Sequence, residues 1–173
     1  DLLAALVRCG EEPISLDLSA PGITVVGFGQ IVNAKVRSLL VELILGTIWT
    51  QRISRSNWPH PLILLLDEGQ NLNWAQDSMA VRILREGRKY GLVGWFSSQY
   101  ITQKTAAAAL GQAALQAYFR PDDANIPHLA RSFSQAGAGS AAQWSQLIRN
   151  LKVGQFLCRQ PSGQAFVVSV PKR

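Results

Sequence analysis

Along this chain, short unbroken apolar runs alternate with longer stretches of helical periodicity. Leu62-Ile63-Leu64-Leu65-Leu66 is one such run, the pattern of a strand buried on both faces. Leu92 to Phe96 is a second. Between them a helical stretch begins near Ser78 and ends in Arg85-Glu86-Gly87-Arg88-Lys89-Tyr90-Gly91. Upstream, Asp1 to Cys9 reads as a short amphipathic helix. Ile14 to Leu18 and Ile23 to Val26 read as short strands around the turn Ala20-Pro21-Gly22. Asn33 is placed to cap a long helix from Ala34 to about Arg55. Val36, Leu39, Leu40, Leu43, Ile44 and Ile48 give that helix an apolar face suited to lie on a sheet. Trp58-Pro59-His60-Pro61 breaks it before the next strand.

The rest of the chain continues the alternation. Thr105 to Ala114 is an Ala-rich helix, and Leu115 to Phe119 a strand. Asp122 or Asp123 can cap a helix to about Ser134, with Pro127 near its start. Gln135 to Gly139 is a Gly/Ala loop. Ala141 to Asn150 is a helix with Trp144, Leu147 and Ile148 on its apolar face. Phe156-Leu157-Cys158 then pairs with Phe166-Val167-Val168 across Pro161-Ser162-Gly163. The expectation is an α/β fold: a mostly parallel sheet, covered by helices on both faces, with a C-terminal β-hairpin.

Composition narrows the class. The 173 residues are 47% apolar and 16% charged, the values of a globular chain rather than a disordered one. They suffice for one domain with a sizeable core. The net charge of +6 is unevenly spread. Every acid lies at or before Asp123, while Arg131, Arg149, Lys152, Arg159, Lys172 and Arg173 follow it. A basic C-terminal third suits a polyanionic partner and equally suits an ordinary solvated surface. Cys9 and Cys158 make neither a disulfide framework nor a zinc site, and read as buried thiols in a reducing cytoplasm. Leu39 to Trp49 is strongly apolar but contains Glu42, and is too short and interrupted to span a bilayer.

The candidate chemistry sits where the first apolar run ends, in Asp67-Glu68. Open α/β sheets bind ligands beyond the C-terminal ends of their strands. Strand-Asp-Glu is the pattern of a Walker B strand, in which the first acid holds Mg²⁺ and the second polarises water. A solvated acidic loop, with Glu68 capping the next helix, is the plainer alternative. Gln99 leaves the second run in Ser97-Ser98-Gln99. Its amide can bond both a water and a phosphate oxygen, or simply end a strand. Arg82, Arg85 and Arg88, with Lys89 beside the last, form a basic stripe that either reaches phosphate or is only solvated. His60 and His128 are isolated and read as structural. Trp95 reads as core, and Trp74 as a packing or interface residue.

Strand-Asp-Glu, helix, Gly-Arg-Lys-Tyr-Gly, strand, Ser-Gln is a long ordered pattern. It resembles the HerA/FtsK superfamily of hexameric DNA-pumping ATPases, and the HerA branch most closely. Ala117-Tyr118-Phe119-Arg120-Pro121-Asp122-Asp123 is similar to that family's next strand and its arginine exit. Leu151-Lys152-Val153-Gly154-Gln155-Phe156-Leu157 is similar to its strand entry near the C-terminus. The likeness covers roughly residues 14 to 171. It implies a RecA-like sheet, ATP and Mg²⁺ as ligands, DNA as partner, a cytoplasmic homo-oligomeric ring (a hexamer), and a nuclease or other DNA-processing companion. It assigns Asp67 to metal, Glu68 and Gln99 to the reacting water, and Arg85 and Lys89 to nucleotide. Arg88, with Arg120 second, becomes the arginine that stabilises the transferring phosphate in its own or a neighbour's site. A conjugative DNA-pumping ATPase is an alternative within the superfamily. A non-hydrolysing oligomerisation or DNA-binding module is an alternative outside it.

One element of the pattern is missing. A phosphate loop needs Gly-x-x-x-x-Gly-Lys-Ser/Thr, and none of Lys35, Lys89, Lys104, Lys152 and Lys172 follows a glycine. Val26-Gly27-Phe28-Gly29-Gln30 has the wrong spacing and reads as a strand-to-helix turn. The chain opens on Asp1, and Met79 is its only methionine. The expectation is therefore the C-terminal part, 1–173, of a single ATPase domain whose phosphate loop lies upstream. Alone, it is expected to be inactive.

Overall fold

The computed structural model describes residues 21–54, 58, 60–99, 104–136, 139–160 and 162–171. The helix expected at Asp1 to Cys9, the strand at Ile14 to Leu18 and Cys9 lie outside them. The chain forms two compact units, one ending at Gly111 and the other starting at Gln112. Mixed α/β character is as expected.

The first unit is built on α1 (Ala34–Ser54) and a β1-α2-β2 crossover: β1 (Leu62–Leu66), α2 (Met79–Glu86) and β2 (Leu92–Phe96). Asn33 starts α1, its Oδ1 accepting from the N–H groups of Lys35 at 3.0 Å and Val36 at 3.4 Å. At the other end, the Trp58 indole donates to the Arg52 carbonyl at 3.1 Å, satisfying a last-turn oxygen. The Arg52 guanidinium lies 4.1 Å from the Trp58 ring centre and donates to the His60 carbonyl at 3.1 Å. Glu42, the charge inside the apolar stretch, is a cap in trans. Its Oε2 accepts from Met79 N at 3.0 Å at the start of α2, where a negative charge meets the positive helix end. Ser78 caps the same helix, accepting from Val81 N.

β1 and β2 are parallel, with Leu62 opposite Leu92 and Leu66 opposite Phe96. Leu62, Leu64, Leu66 and Leu92 pack under Leu45, Ile48 and Trp49 of α1 and Ile83 of α2. Trp74, Leu72, Ala80 and Val81 join Ala106 and Ala109 of α3 (Lys104–Leu110) in a second cluster. The opposite face departs from the sequence reading. Ile63, Leu65, Val93 and Trp95 are 40–68% exposed, so the described residues cover the strands on one face only and Trp95 is not core. Burial alternates along each strand because successive side chains point to opposite faces. Ile23 to Val26 forms no strand either, and Ile23 and Val25 stand almost fully exposed. A strand needs a neighbour for its ladder, and this segment has none among the described residues.

The second unit departs from the expected parallel order. β3 (Gln116–Tyr118), β4 (Gln155–Arg159) and β5 (Ala165–Ser169) form an antiparallel sheet in the order β3-β4-β5. The C-terminal hairpin is as expected, with Phe156 opposite Val168 and Cys158 opposite Phe166. Gly163, at φ +83°, makes its turn, and a Cβ there would collide with the Ala136 carbonyl oxygen. Cys158 is buried, as read. α4 (Ile126–Ala136) starts later than expected, beyond the Asp122–Asn125 turn, with Pro127 in its first turn. α5 (Ala141–Arg149) opens on a reciprocal Ser140–Gln143 capping box. Phe133 of α4 is the centre of this core. Its ring meets Tyr118 edge-on at 5.2 Å and stacks on Trp144 at 5.0 Å. α3 ends at Leu110, short of the expected Ala114, with Gly111 directly after it.

Phe133→Ala removes the largest fully buried side chain of this core. It should destabilise the protein by about 3–5 kcal/mol, read as an earlier denaturant midpoint. A midpoint equal to wild type would show that the core closes around the gap.

Candidate functional site

Because Leu66 pairs with Phe96, the next residues along the two strands leave the ladder side by side. Ser97 N donates to the Leu66 carbonyl at 3.0 Å, and Gly69 N returns to the Ser97 carbonyl at 2.7 Å. The second contact brings the loop after β1 down onto the end of β2. Gly69 is buried there, and a Cβ on it would sit 2.9 Å from Ser97 O. The Trp74 indole donates to the Gly69 carbonyl at 2.8 Å and packs against Phe96, which makes Trp74 the packing residue it was read as. The loop is thereby pinned from below.

Above it lie the polar groups. Ser97 Oγ donates a short hydrogen bond to Asp67 Oδ1, which also accepts from Glu68 N at 2.9 Å. The Ser97 hydroxyl first, and the Glu68 N–H second, hold the Asp67 carboxyl below its ordinary value. Glu68 is the one described non-glycine residue with a left-handed backbone, at φ 55° and ψ 44°. Such a conformation costs about 1–3 kcal/mol and clusters at functional sites. It directs the Glu68 carboxylate across to the exit of β2. There Gln99 Nε2 donates to Glu68 Oε1 at 3.2 Å, while Gln70 Nε2 donates a short bond to Glu68 Oε2. Gln70 Oε1 accepts from Ser98 Oγ at 2.8 Å and Gln99 N at 3.3 Å. A cleft of about 410 Å³ opens beside this cluster, lined by Leu65, Asp67, Trp95, Phe96 and Ser97.

The structure therefore brings Asp67, Glu68 and Gln99 together. Among the described residues of this unit, it does not bring Arg85, Arg88 or Lys89 to them. α2 runs back from the C-terminal end of β1 to the N-terminal end of β2, as a parallel connection must. The 3-10 turn Gly87–Tyr90 is thus at the far end of the sheet, where Leu62 N donates to Gly91 O at 2.8 Å. A five-residue strand is roughly 16 Å long, so Arg88 and Lys89 are remote from Asp67 of their own chain. Arg85 lies in the last turn of α2, at the same end. All three are exposed, and among the described residues their side chains make no hydrogen bond or ion pair. The placement of Arg88 beside its own site, one of the two readings of the Gly-Arg-Lys turn, is not what the fold provides. Arg120 belongs to the second unit and pairs with Asp123 at 3.6 Å, both side chains exposed. His60 and His128 have no metal-ligating company among the described residues.

Two participants escaped the sequence reading. Ser97 as a partner of Asp67 follows from the strand register once Leu66 and Phe96 are known to be level. Gln70 carries no local signal, because its role depends on the left-handed turn at Glu68.

The donor set suits Mg²⁺ in one way only. No described group of three or more His, Cys, Asp or Glu side chains makes a self-sufficient metal site. Asp67 receives both of its bonds on Oδ1, leaving Oδ2 for a ligand. A magnesium ion held by one carboxylate, with phosphate oxygens and water completing its shell, fits this arrangement. Compared with models of known protein families, the chain matches none, and no curated protein matches it as a relative.

Ser97→Ala should raise the Asp67 carboxyl toward the ordinary aspartate value, followed by carboxylate NMR against pH. The sign follows from linkage. A carboxyl depressed by folding adds stability above its unfolded value, and that stability is lost as pH falls through the folded one. An unchanged Asp67 titration would mean that the hydroxyl does not bond the ionised form in solution.

Proposed function

We propose that this chain carries the Walker B and sensor part of an ATP-driven, HerA-type DNA translocase that works as a ring. The observation that carries the reading is the junction of Asp67, Glu68 and Gln99 at the C-terminal ends of two adjacent parallel strands. In this reading β1 and β2 are the part of a RecA-like sheet that the chain contributes. Glu68 takes the proton of the attacking water, and Gln99, bonded to Glu68, orients that water. Asp67 would hold Mg²⁺, which when bound neutralises charge on the transferring phosphate. ATP, DNA and a cytoplasmic setting belong to the same proposal. No Gly-x-x-x-x-Gly-Lys-Ser/Thr lies among the 173 residues, and in this reading the phosphate-binding loop is supplied from elsewhere.

The position of Arg88 favours a role across a subunit interface. It is exposed, unpaired among the described residues, and at the opposite end of the sheet from its own Asp67. An arginine so placed serves a neighbour's nucleotide in a ring.

In the full-length protein, Glu68→Gln should bind ATP and fail to hydrolyse it, since an amide keeps the shape but cannot act as a base. Asp67→Asn should weaken Mg²⁺-dependent nucleotide binding instead. Parental turnover by the Glu68→Gln protein would remove Glu68 from catalysis and favour a non-hydrolysing module.

Arg88→Ala should leave nucleotide binding nearly intact and cut turnover about 10²- to 10³-fold. Mixing it with Glu68→Gln subunits should restore part of the activity, because an intact Glu68 then meets an intact Arg88 from another subunit. Co-assembled mixtures without recovery would exclude a role in trans. Loss of assembly by Arg88→Ala alone would make Arg88 an interface residue.

A further inference from the structure

Gln70 lies between the two strand exits. On one side its Nε2 donates to Glu68 Oε2. On the other its Oε1 accepts from both Ser98 Oγ at 2.8 Å and Gln99 N at 3.3 Å. Gln99 in turn reaches back to Glu68 Oε1 through its own amide at 3.2 Å. Glu68 and Gln70 therefore grip Gln99 by side chain and backbone together. The ring of contacts closes across two chain segments some thirty residues apart in sequence. We propose that Gln70 is a positioning residue that holds the Glu68 carboxylate in place and couples it to the Ser98-Gln99 turn.

Side-chain chemistry restricts who can fill this place. The position requires a donor toward a carboxylate and an acceptor toward a hydroxyl and an N–H. Glu or Asp offers no donor when ionised, and Lys or Arg offers no acceptor. A neutral amide offers both. The clamp also answers a local need. Glu68 sits in a left-handed backbone conformation that residues with a Cβ rarely adopt, in an exposed loop. Two amide donors fix both carboxylate oxygens and leave the rest of the carboxylate facing solvent. Anything that displaces Ser98 or Gln99 then moves Glu68, so the exit of β2 can report on its ligand to the group that acts on water.

The proposal rests on Glu68 being the water-polarising group, and the experiment separates the two claims. Three variants of the full-length protein are compared. Gln70→Leu removes donor and acceptor at similar volume. Gln70→Glu keeps the acceptors and loses the donor. Glu68→Gln with Gln70→Glu exchanges the partners, so that an amide at 68 donates to a carboxylate at 70 and every bond of the ring can re-form. Gln70→Leu should lower kcat about 10- to 100-fold while KM for ATP stays within about twofold, as for a group acting through a catalytic residue. In NMR spectra of the 173-residue chain, the Gln99 backbone and side-chain amide signals should shift in Gln70→Glu. They should return toward wild type in the exchanged double variant, which nonetheless has no turnover.

Wild-type kcat in Gln70→Leu, with Glu68→Gln inactive, would overturn the proposal and leave the catalytic reading standing. So would a Gln70→Leu defect that tracks a lowered melting temperature, or Gln99 signals that stay displaced in the double variant. If Glu68→Gln hydrolyses ATP at the parental rate, the catalytic reading fails. Restored Gln99 signals in the exchanged variant would then still support the clamp, and unrestored signals would overturn it.

Discussion

Leu66 pairs with Phe96, and both strands run out of ladder at the same level. From that register the chemistry follows. Asp67 meets the Ser97 hydroxyl, the loop after β1 drops onto the Ser97 carbonyl through Gly69, and Glu68 turns left-handed toward Gln99. A shift of one residue would set Asp67 level with Phe96 or Ser98 instead of Ser97 and reverse which face of β1 is covered. The register is secured on the covered face, where Leu62, Leu64 and Leu66 lock under α1 and α2. The buried Trp74 indole secures the loop. Apolar packing, more than the polar groups themselves, thus sets the geometry of the site.

The covered and open faces of the same two strands make opposite statements. One carries the core. The other presents Ile63, Leu65, Val93 and Trp95 to solvent, next to the cleft that borders Asp67. Parallel sheets occur almost only with both faces covered, and a contiguous apolar patch on a soluble surface marks contact with something else. The unit ending at Gly111 thus has the hydrophobic inventory of a sheet larger than its two described strands.

Much of this was legible in the residues. Asn33 as a cap, the reach of α1, the Asp-Glu exit of β1 and the C-terminal hairpin each follow from local chemistry. The open face was not legible. An unbroken apolar run looks the same whether one face or both are covered, and only the tertiary neighbours of Leu65 and Trp95 decide it. β3 gave no hint of its antiparallel partner, because a three-residue strand carries no directional signal. The end at which Arg88 sits could have been derived. Parallel neighbours require the connecting helix to run back, so a turn that follows the helix and precedes β2 must lie opposite Asp67.

That geometry has an electrostatic consequence. Asp67 and Glu68 stand at one end of the sheet with no described cation bonded to them, while Arg85, Arg88 and Lys89 stand exposed at the other. Two carboxylates alone repel a triphosphate. A nucleotide at Asp67 needs compensating charge from a divalent ion and from arginine or lysine outside this end of the unit. In the proposed ring that charge comes from a neighbouring subunit, since head-to-tail contacts generate rings when the rotation closes. On the proposed ring, the separation that removes Arg88 from Asp67 of its own chain is what would let it face a neighbour's nucleotide.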